Sequence, residues 1–195
     1  MEEVDPRIRR TRQLLQQALG KLLETKDFDK ISIQDIADAA TVNRVTFYDH
    51  YTDKFALLEC VVGNRFQELL TARNICFDGS CSSALKAIVS CVCDYLGGMC
   101  GMDSARQRRL ERHLESAVIA VVRRMILEGL QQHPSTTAAP TPVSPEMIAT
   151  SLSWAVYGAA QEWVRTPNRR EVGEIAGIIA TLVSPMLDQM HARQD

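Results

Sequence analysis

Asn43 to Lys54 reads NRVTFYDHYTDK, and how these twelve residues are read decides the fold. They hold three aromatics (Phe47, Tyr48, Tyr51), a histidine (His50), the hydroxyls of Thr46 and Thr52, and two firm cations, Arg44 and Lys54. The stretch is too short and polar for a core helix and too aromatic for an ordinary surface loop. Asn43 is a good N-cap, able to start a short helix that runs to about Asp49. Just upstream, Ser32 followed by Asp35 forms a capping-box start for another short helix, with Ile33, Ile36, Ala37 and Ala40 facing inward. Upstream again, Asp5-Pro6 sets an N-cap beside a proline at the first helical position. Ile8, Leu15, Leu19, Leu22 and Leu23 then form one apolar stripe ending near Lys26. Three helices, the second and third short and close together, are the plan of a helix-turn-helix module, whose third helix enters the major groove.

That plan gives the opening stretch a chemistry. On a helix starting at Asn43, positions 44 and 48 share a face. Arg44 and Thr46 are presented to base edges, while the Tyr48 hydroxyl and His50 reach backbone oxygens; hydroxyls, amides and helix N-termini are common phosphate partners. Lys54 falls in the first turn of a fourth helix, expected to be capped by Thr52, where the helix dipole favours a phosphate. Phe47 points the other way, into a small core with Ile36 and Leu15. Arg7, Arg9, Arg10 and Arg12 form a local basic patch, either a phosphate-gripping arm or a solvated helix face.

The rest of the chain is helical in spacing from end to end, with no alternating apolar runs and no internal repeat. After the fourth helix (Leu58, Val61, Val62, Phe66, Leu69, Leu70), Asp78-Gly79-Ser80 breaks the pattern. Helices follow from about Ser83 to Met99, from Ser104 to about Leu114, and onward through Val118, Val122, Met125, Ile126 and Leu130. The stretch PSTTAAPTPVSP, residues 134–145, is a loop with nothing to bury. Two strong helices close the chain, one through Ile148, Leu152, Ala155, Val156, Ala159 and Trp163, the other through Val172, Ile175, Ile179, Leu182 and Met186. The expected fold is all-α, with about nine helices.

Composition limits the function. The chain has 195 residues, 46% of them hydrophobic and 24% charged, enough for a real core in a soluble protein. The formal net charge is −2, and residues 1–54 hold nine Lys+Arg against ten Asp+Glu, so polyanion binding must come from local placement. The acidic start and the lack of a span of roughly 18–20 apolar residues imply no signal peptide and no membrane partner, hence a cytoplasmic protein. There is no glycine-rich phosphate loop, nucleophile elbow or metalloprotease motif, so the chain reads as a non-enzyme without cofactor or metal.

The run from Ser32 to Leu58, SIQDIADAATVNRVTFYDHYTDKFALL, resembles the N-terminal domain of TetR-family transcriptional regulators. Its V-N-R-x-T-F-Y-x-H-Y-x-D-K pattern is similar to the branch that includes dihydroxyacetone-kinase-operon regulators. The motif covers about 50 residues; the remainder agrees in helix layout, with a faint likeness at Gly158-Ala-Ala-x-x-Trp163. The resemblance implies a repressor that binds a near-palindromic operator in double-stranded DNA as a homodimer and is released by a small-molecule effector. It implies a DNA-binding domain over 1–53 and an effector-binding and dimerisation domain over 54–195. By position, Thr46, Tyr48, His50 and Lys54 match the family's phosphate contacts and Arg44 a base-reading position; Asn43 and Val45 complete the expected DNA-binding set. The sequence departs from the pattern twice. The turn residue is commonly Gly, Asn or Asp, but here it is Thr41, for which a positive φ costs on the order of 1–3 kcal/mol. Position 45 is commonly small, but here it is Val, able to pack on a thymine methyl.

In the larger domain, the 172/175/179/182/186 spacing is a heptad-like seam for helix pairing, which Pro185 kinks or ends. The expected dimer interface is Leu152, Val156, Ala159, Trp163, Ile175, Ile179, Leu182 and Met186, with packing on the protein's own core as the alternative. An effector pocket belongs among the fourth to eighth helices, with Tyr95, Met99, His113, Met125 and Trp154 as candidate liners. The cysteines at 60, 76, 81, 91, 93 and 100 read as mostly reduced thiols, because Cys91-x-Cys93 on a helix points its sulfurs about 200° apart and no C-x₂-C pair exists. Two alternatives remain open at this point: a coactivator of the same fold that does not touch DNA, and a thiol-based redox- or metal-responsive regulator.

Overall fold

The computed structural model describes residues 5–72, 82–98, 104–132 and 143–188. Among them every regular element is helical: α1 (Pro6–Thr25), α2 (Ile33–Ala39), α3 (Arg44–Tyr48), α4 (Lys54–Ala72), α5 (Ser82–Gly98), α6 (Ser104–Gln132), α7 (Pro145–Arg165), α8 (Val172–Val183) and α9 (Pro185–Asp188). A single turn of 3-10 helix, Phe28–Lys30, links α1 to α2. Met99, Cys76, Cys81, Cys100 and most of the expected 134–145 loop lie outside the described residues. The chain forms two compact units, one from the described residues of Met1–Asn64 and Met102–Ala117, the other from those of Arg65–Gly101 and Val118–Asp195.

In the first unit the helix ends are written into the side chains. Asp5 accepts a hydrogen bond from the Arg7 amide at 2.8 Å and Pro6 opens α1. Helix α2 starts on a reciprocal box: the Asp35 amide donates to Ser32 Oγ at 3.0 Å, and the Ser32 amide donates to Asp35 Oδ2 at 2.8 Å. At the other end the Val42 amide donates to Ala37 O (2.9 Å) and the Thr41 amide to Asp38 O (3.0 Å). That pair of bonds is a Schellman motif, and it places Thr41 at the left-handed position with φ 58°. The expected cap of α4 is corrected: Asp53, not Thr52, accepts from the Phe55 and Ala56 amides, each at 2.8 Å. A carboxylate one residue later satisfies two orphan donors that the threonine hydroxyl would have to reach across a turn. Leu15, Leu19, Phe28, Ile31, Ile36, Phe47, Leu57, Leu58 and Val62 form the core. The apolar stripe of α1 begins only at Leu15, since Ile8 is exposed.

The second unit is built around α5, which packs against α7 and α8. Leu85, Ile88, Val89, Cys91, Val92 and Cys93 are all buried, so α5 is apolar nearly all round, as a central helix must be. The helix expected in two pieces over 104–130 is one continuous α6, whose later part buries Val118, Val121, Val122 and Ile126. Helix α7 is capped by Ser144, which accepts from the Met147 amide. Helix α8 ends at Val183, and Pro185 begins the short α9.

Candidate nucleic-acid interface

Helix α3 has only five residues and cannot persist alone. Its N-terminus is held by Asn43, whose Oδ1 accepts from the Val45 amide at 3.0 Å. Its inner face is held by Phe47, which is fully buried, as are Ile36 and Leu15. That anchoring leaves the outer face in solvent: Arg44 is exposed, Val45 is 66% exposed and Tyr48 46%. Thr46 and His50 are partly exposed at its flanks. Arg44 donates from Nη2 to the Tyr48 hydroxyl at 3.1 Å, and its guanidinium lies 5.6 Å from the Tyr48 ring centroid. Arg7, Arg9, Arg10 and Arg12 are exposed on α1.

Lys54 requires a correction. Its ammonium donates to the carbonyls of Phe28 (2.8 Å), Ile31 (2.8 Å) and Asp29 (3.3 Å) and sits 4.7 Å from the Phe28 ring centroid. An ammonium has three donors, and all three serve the turn between α1 and α2. Lys54 therefore fastens that turn to the start of α4 and has no donor left for a phosphate.

Two of the residues expected to line an effector pocket are also placed elsewhere. His113 belongs to the first unit, where its ring packs on Phe28 and Phe55 (centroids 4.8 and 5.9 Å) and Nε2 lies 2.9 Å from Asp29 Oδ1. Trp154 is 55% exposed on α7, on the face that does not join the core. Met99 is outside the described residues. Tyr95 and Met125 remain half-buried in the second unit; Tyr95 packs on Phe66 at 5.5 Å, and burial pushes its hydroxyl up to about 12.

The expected dimer residues divide as well. Leu152, Val156, Trp163 and Ile179 are buried in their own unit, so they are core. Leu182 (71%) and Met186 (38%) stay exposed, Ala159 and Ile175 partly so. Ile179 and Leu182 lie about 60° apart round α8, so one seam of this spacing straddles the boundary between its buried and exposed faces.

Some residues that shape this head were missed. Phe28, in the turn between α1 and α2, is buried and anchors that turn. Gln16 ties α1 to α4 and to the linker before it: Nε2 donates to the Tyr51 hydroxyl (3.0 Å) and to Cys60 Sγ (3.3 Å), while Oε1 accepts from Asn64 at 2.7 Å. Tyr51 is 8% exposed there, and desolvation pushes its hydroxyl up to about 12. No local pattern signals such a cluster, whose members are far apart in sequence. Among the described residues no group of three or more His, Cys, Asp or Glu side chains could hold a metal ion.

Two short capped helices joined by a Schellman turn, the second displaying an Arg-Val-Tyr surface over a buried phenylalanine, define a helix-turn-helix DNA-binding head. Residues 15–61 match the family described as bacterial regulatory proteins, tetR family. A curated relative, the uncharacterized HTH-type transcriptional regulator YxbF of Bacillus subtilis (strain 168), is 39% identical over 70 residues. That match spans 35% of this chain and 18% of YxbF. Among solved structures, Thermus thermophilus FadR, a TetR-family transcriptional repressor in complex with lauroyl-CoA, is similar at 19% identity and a TM-score of 0.50. The similarity covers 94% of this chain and 97% of that one and shows the fold. The dihydroxyacetone kinase operon activator DhaS gives 16% identity and a TM-score of 0.47 over 95% of this chain and 98% of that one. Among the described residues no helix is long and apolar enough to cross a membrane.

Proposed function

We propose that the protein is a DNA-binding transcriptional regulator, acting as a repressor, that binds a palindromic operator as a homodimer and is released by a small-molecule effector. Residues 1–53 carry the DNA-binding role; residues 54–195 carry dimerisation and effector binding. The observation that carries this reading is the exposure of Arg44, Val45 and Tyr48 above the buried Phe47, a reading surface fixed by a core. With Lys54 withdrawn, Asn43, Arg44, Val45, Thr46, Tyr48 and His50 form the contact set. Arg44 suits a guanine edge and Val45 a thymine methyl.

The homodimer rests on a separate observation. Met147 and Trp154 on α7, Ile178 and Leu182 on α8, and Met186 on α9 are all exposed apolar side chains. Met147 and Trp154 are seven residues apart and Ile178 and Leu182 four, so each pair shares a face of its helix, and exposed apolar faces of this kind suit an interface. Tyr95 and Met125 remain the candidates for effector contact.

The test mixes purified protein with duplex fragments of its own upstream region at two salt concentrations. Operator binding that weakens steeply with salt supports the reading, since phosphate contacts release counterions. Absence of any salt-dependent complex would transfer the chain to the coactivator reading.

A further inference from the structure

We infer that Tyr48 is a specificity-determining residue that acts through Arg44, holding the guanidinium in its base-reading orientation. The inference rests on the proposed DNA-binding reading and deepens it. Arg44 stands at the first position of α3 and Tyr48 one turn later, so their side chains lie on one face. Both project into solvent, where an arginine ordinarily samples many rotamers. Here it is restrained twice. The Nη2 group donates to the Tyr48 hydroxyl at 3.1 Å, and the guanidinium carbon rests 5.6 Å from the ring centroid. The tyrosine is itself fixed, because its ring meets the fully buried Phe47 edge-on, with centroids 5.7 Å apart and planes at 86°. A chain of contacts thus runs from the core through Phe47 and Tyr48 to Arg44. It leaves most of the guanidinium fork free for the two acceptors of a guanine.

The hydrogen bond also fixes the polarity of the tyrosine. Its oxygen accepts from Arg44, so its own proton is left to donate to a further acceptor. A guanidinium ordered before binding loses less entropy when it meets a base, and only a site offering the matching edge gains from that order. The tyrosine hydroxyl should therefore act on discrimination more than on total affinity.

The experiment uses the full chain with two probes: duplexes selected from a random-sequence pool by the wild-type protein, and an unselected duplex of equal length. Tyr48→Phe keeps the ring and its packing on Phe47 but removes the hydroxyl. It is expected to lower the ratio of selected to unselected affinity roughly three- to tenfold, the effect of one long side chain left unordered. The salt slope should be unchanged, because no cation is removed. In an Arg44→Ala background the same substitution should leave the ratio unaltered. Equal loss on both probes would make Tyr48 a backbone contact alone and overturn the inference, as would an undiminished effect in the Arg44→Ala background. Failure of the wild type to select any sequence would instead sink the DNA-binding reading, so the two failures are distinct.

Discussion

Thr41 holds φ at 58°, a left-handed conformation that crowds a β-branched side chain. The Schellman bonds of α2 keep it there, since the Val42 and Thr41 amides are the groups that close the helix. The strain is local and removable. Glycine gives back the steric cost but loses more entropy on folding, so the two terms partly offset. Thr41→Gly is expected to stabilise the protein by about 0.5–1 kcal/mol. Thr41→Asn should do as well without the glycine penalty. Thermal unfolding of both variants checks this, and a lowered midpoint for each would show that the hydroxyl makes up for the backbone. Lys54 gives a second prediction at this scale. Lys54→Ala strands the carbonyls of Phe28, Asp29 and Ile31 and is expected to cost about 1–3 kcal/mol of stability. Because the ammonium is committed to those carbonyls, the salt slope of DNA binding should stay where it was. A flattened slope with unchanged stability would restore the phosphate role.

At the scale of elements, α2 and α3 exist because their ends are capped and one face of each is buried, not because seven or five residues favour helix. Capping carries a pH dependence. The Lys26 ammonium, 2.8 Å from Asp35 Oδ1, together with the Ser32 hydroxyl and amide, holds the Asp35 carboxyl well below the ordinary carboxylate range. A depressed folded-state value means the stabilisation is fully present above the unfolded value of about 3.9 and fades as pH falls below it. Asp35→Asn should therefore lie below wild type in unfolding midpoint near neutral pH, with the gap narrowing towards about pH 2. A gap that holds constant across that range would mean the carboxylate charge is not what caps α2. These elements were legible because their signals are local: Ser32 to Asp35, Asn43, Asp5-Pro6 and the inward Ile36 and Phe47 each act within one or two turns. The cap of α4 is ambiguous by one residue in the sequence because Thr52 and Asp53 are both good caps and only the backbone path chooses between them. The role of Lys54 is hidden for a different reason. Its position at a helix start suits a phosphate, and nothing nearby reveals that a turn more than twenty residues upstream brings it three carbonyls.

For the whole molecule, what the sequence shows is that α7 and α8 are amphipathic; what it hides is which apolar residues face the core. Leu152, Val156 and Ile179 are interior, while Trp154, Ile178 and Leu182 are exposed, and both sets fit a helical repeat of three and four. Only the angle at which α5 meets the two helices separates them, and that angle is a tertiary quantity. The same holds for His113, whose partners Phe28, Asp29 and Phe55 lie far back along the chain. The exposed set makes a prediction that the buried set cannot. Leu182 is 71% exposed, so Leu182→Glu removes almost nothing from the folded unit and should leave helical content intact. If α8 pairs with its twofold mate, each dimer loses two buried leucines and gains two carboxylates against apolar surface, a change of roughly 3–6 kcal/mol in association from the lost burial alone. Sedimentation at micromolar concentration should then find wild type dimeric and Leu182→Glu monomeric, with operator affinity falling in step because one head binds only half a palindrome. A variant that still sediments as the wild type does, at equal helical content, would remove the exposed face of α8 from the interface and with it the assembly on which two-headed binding depends.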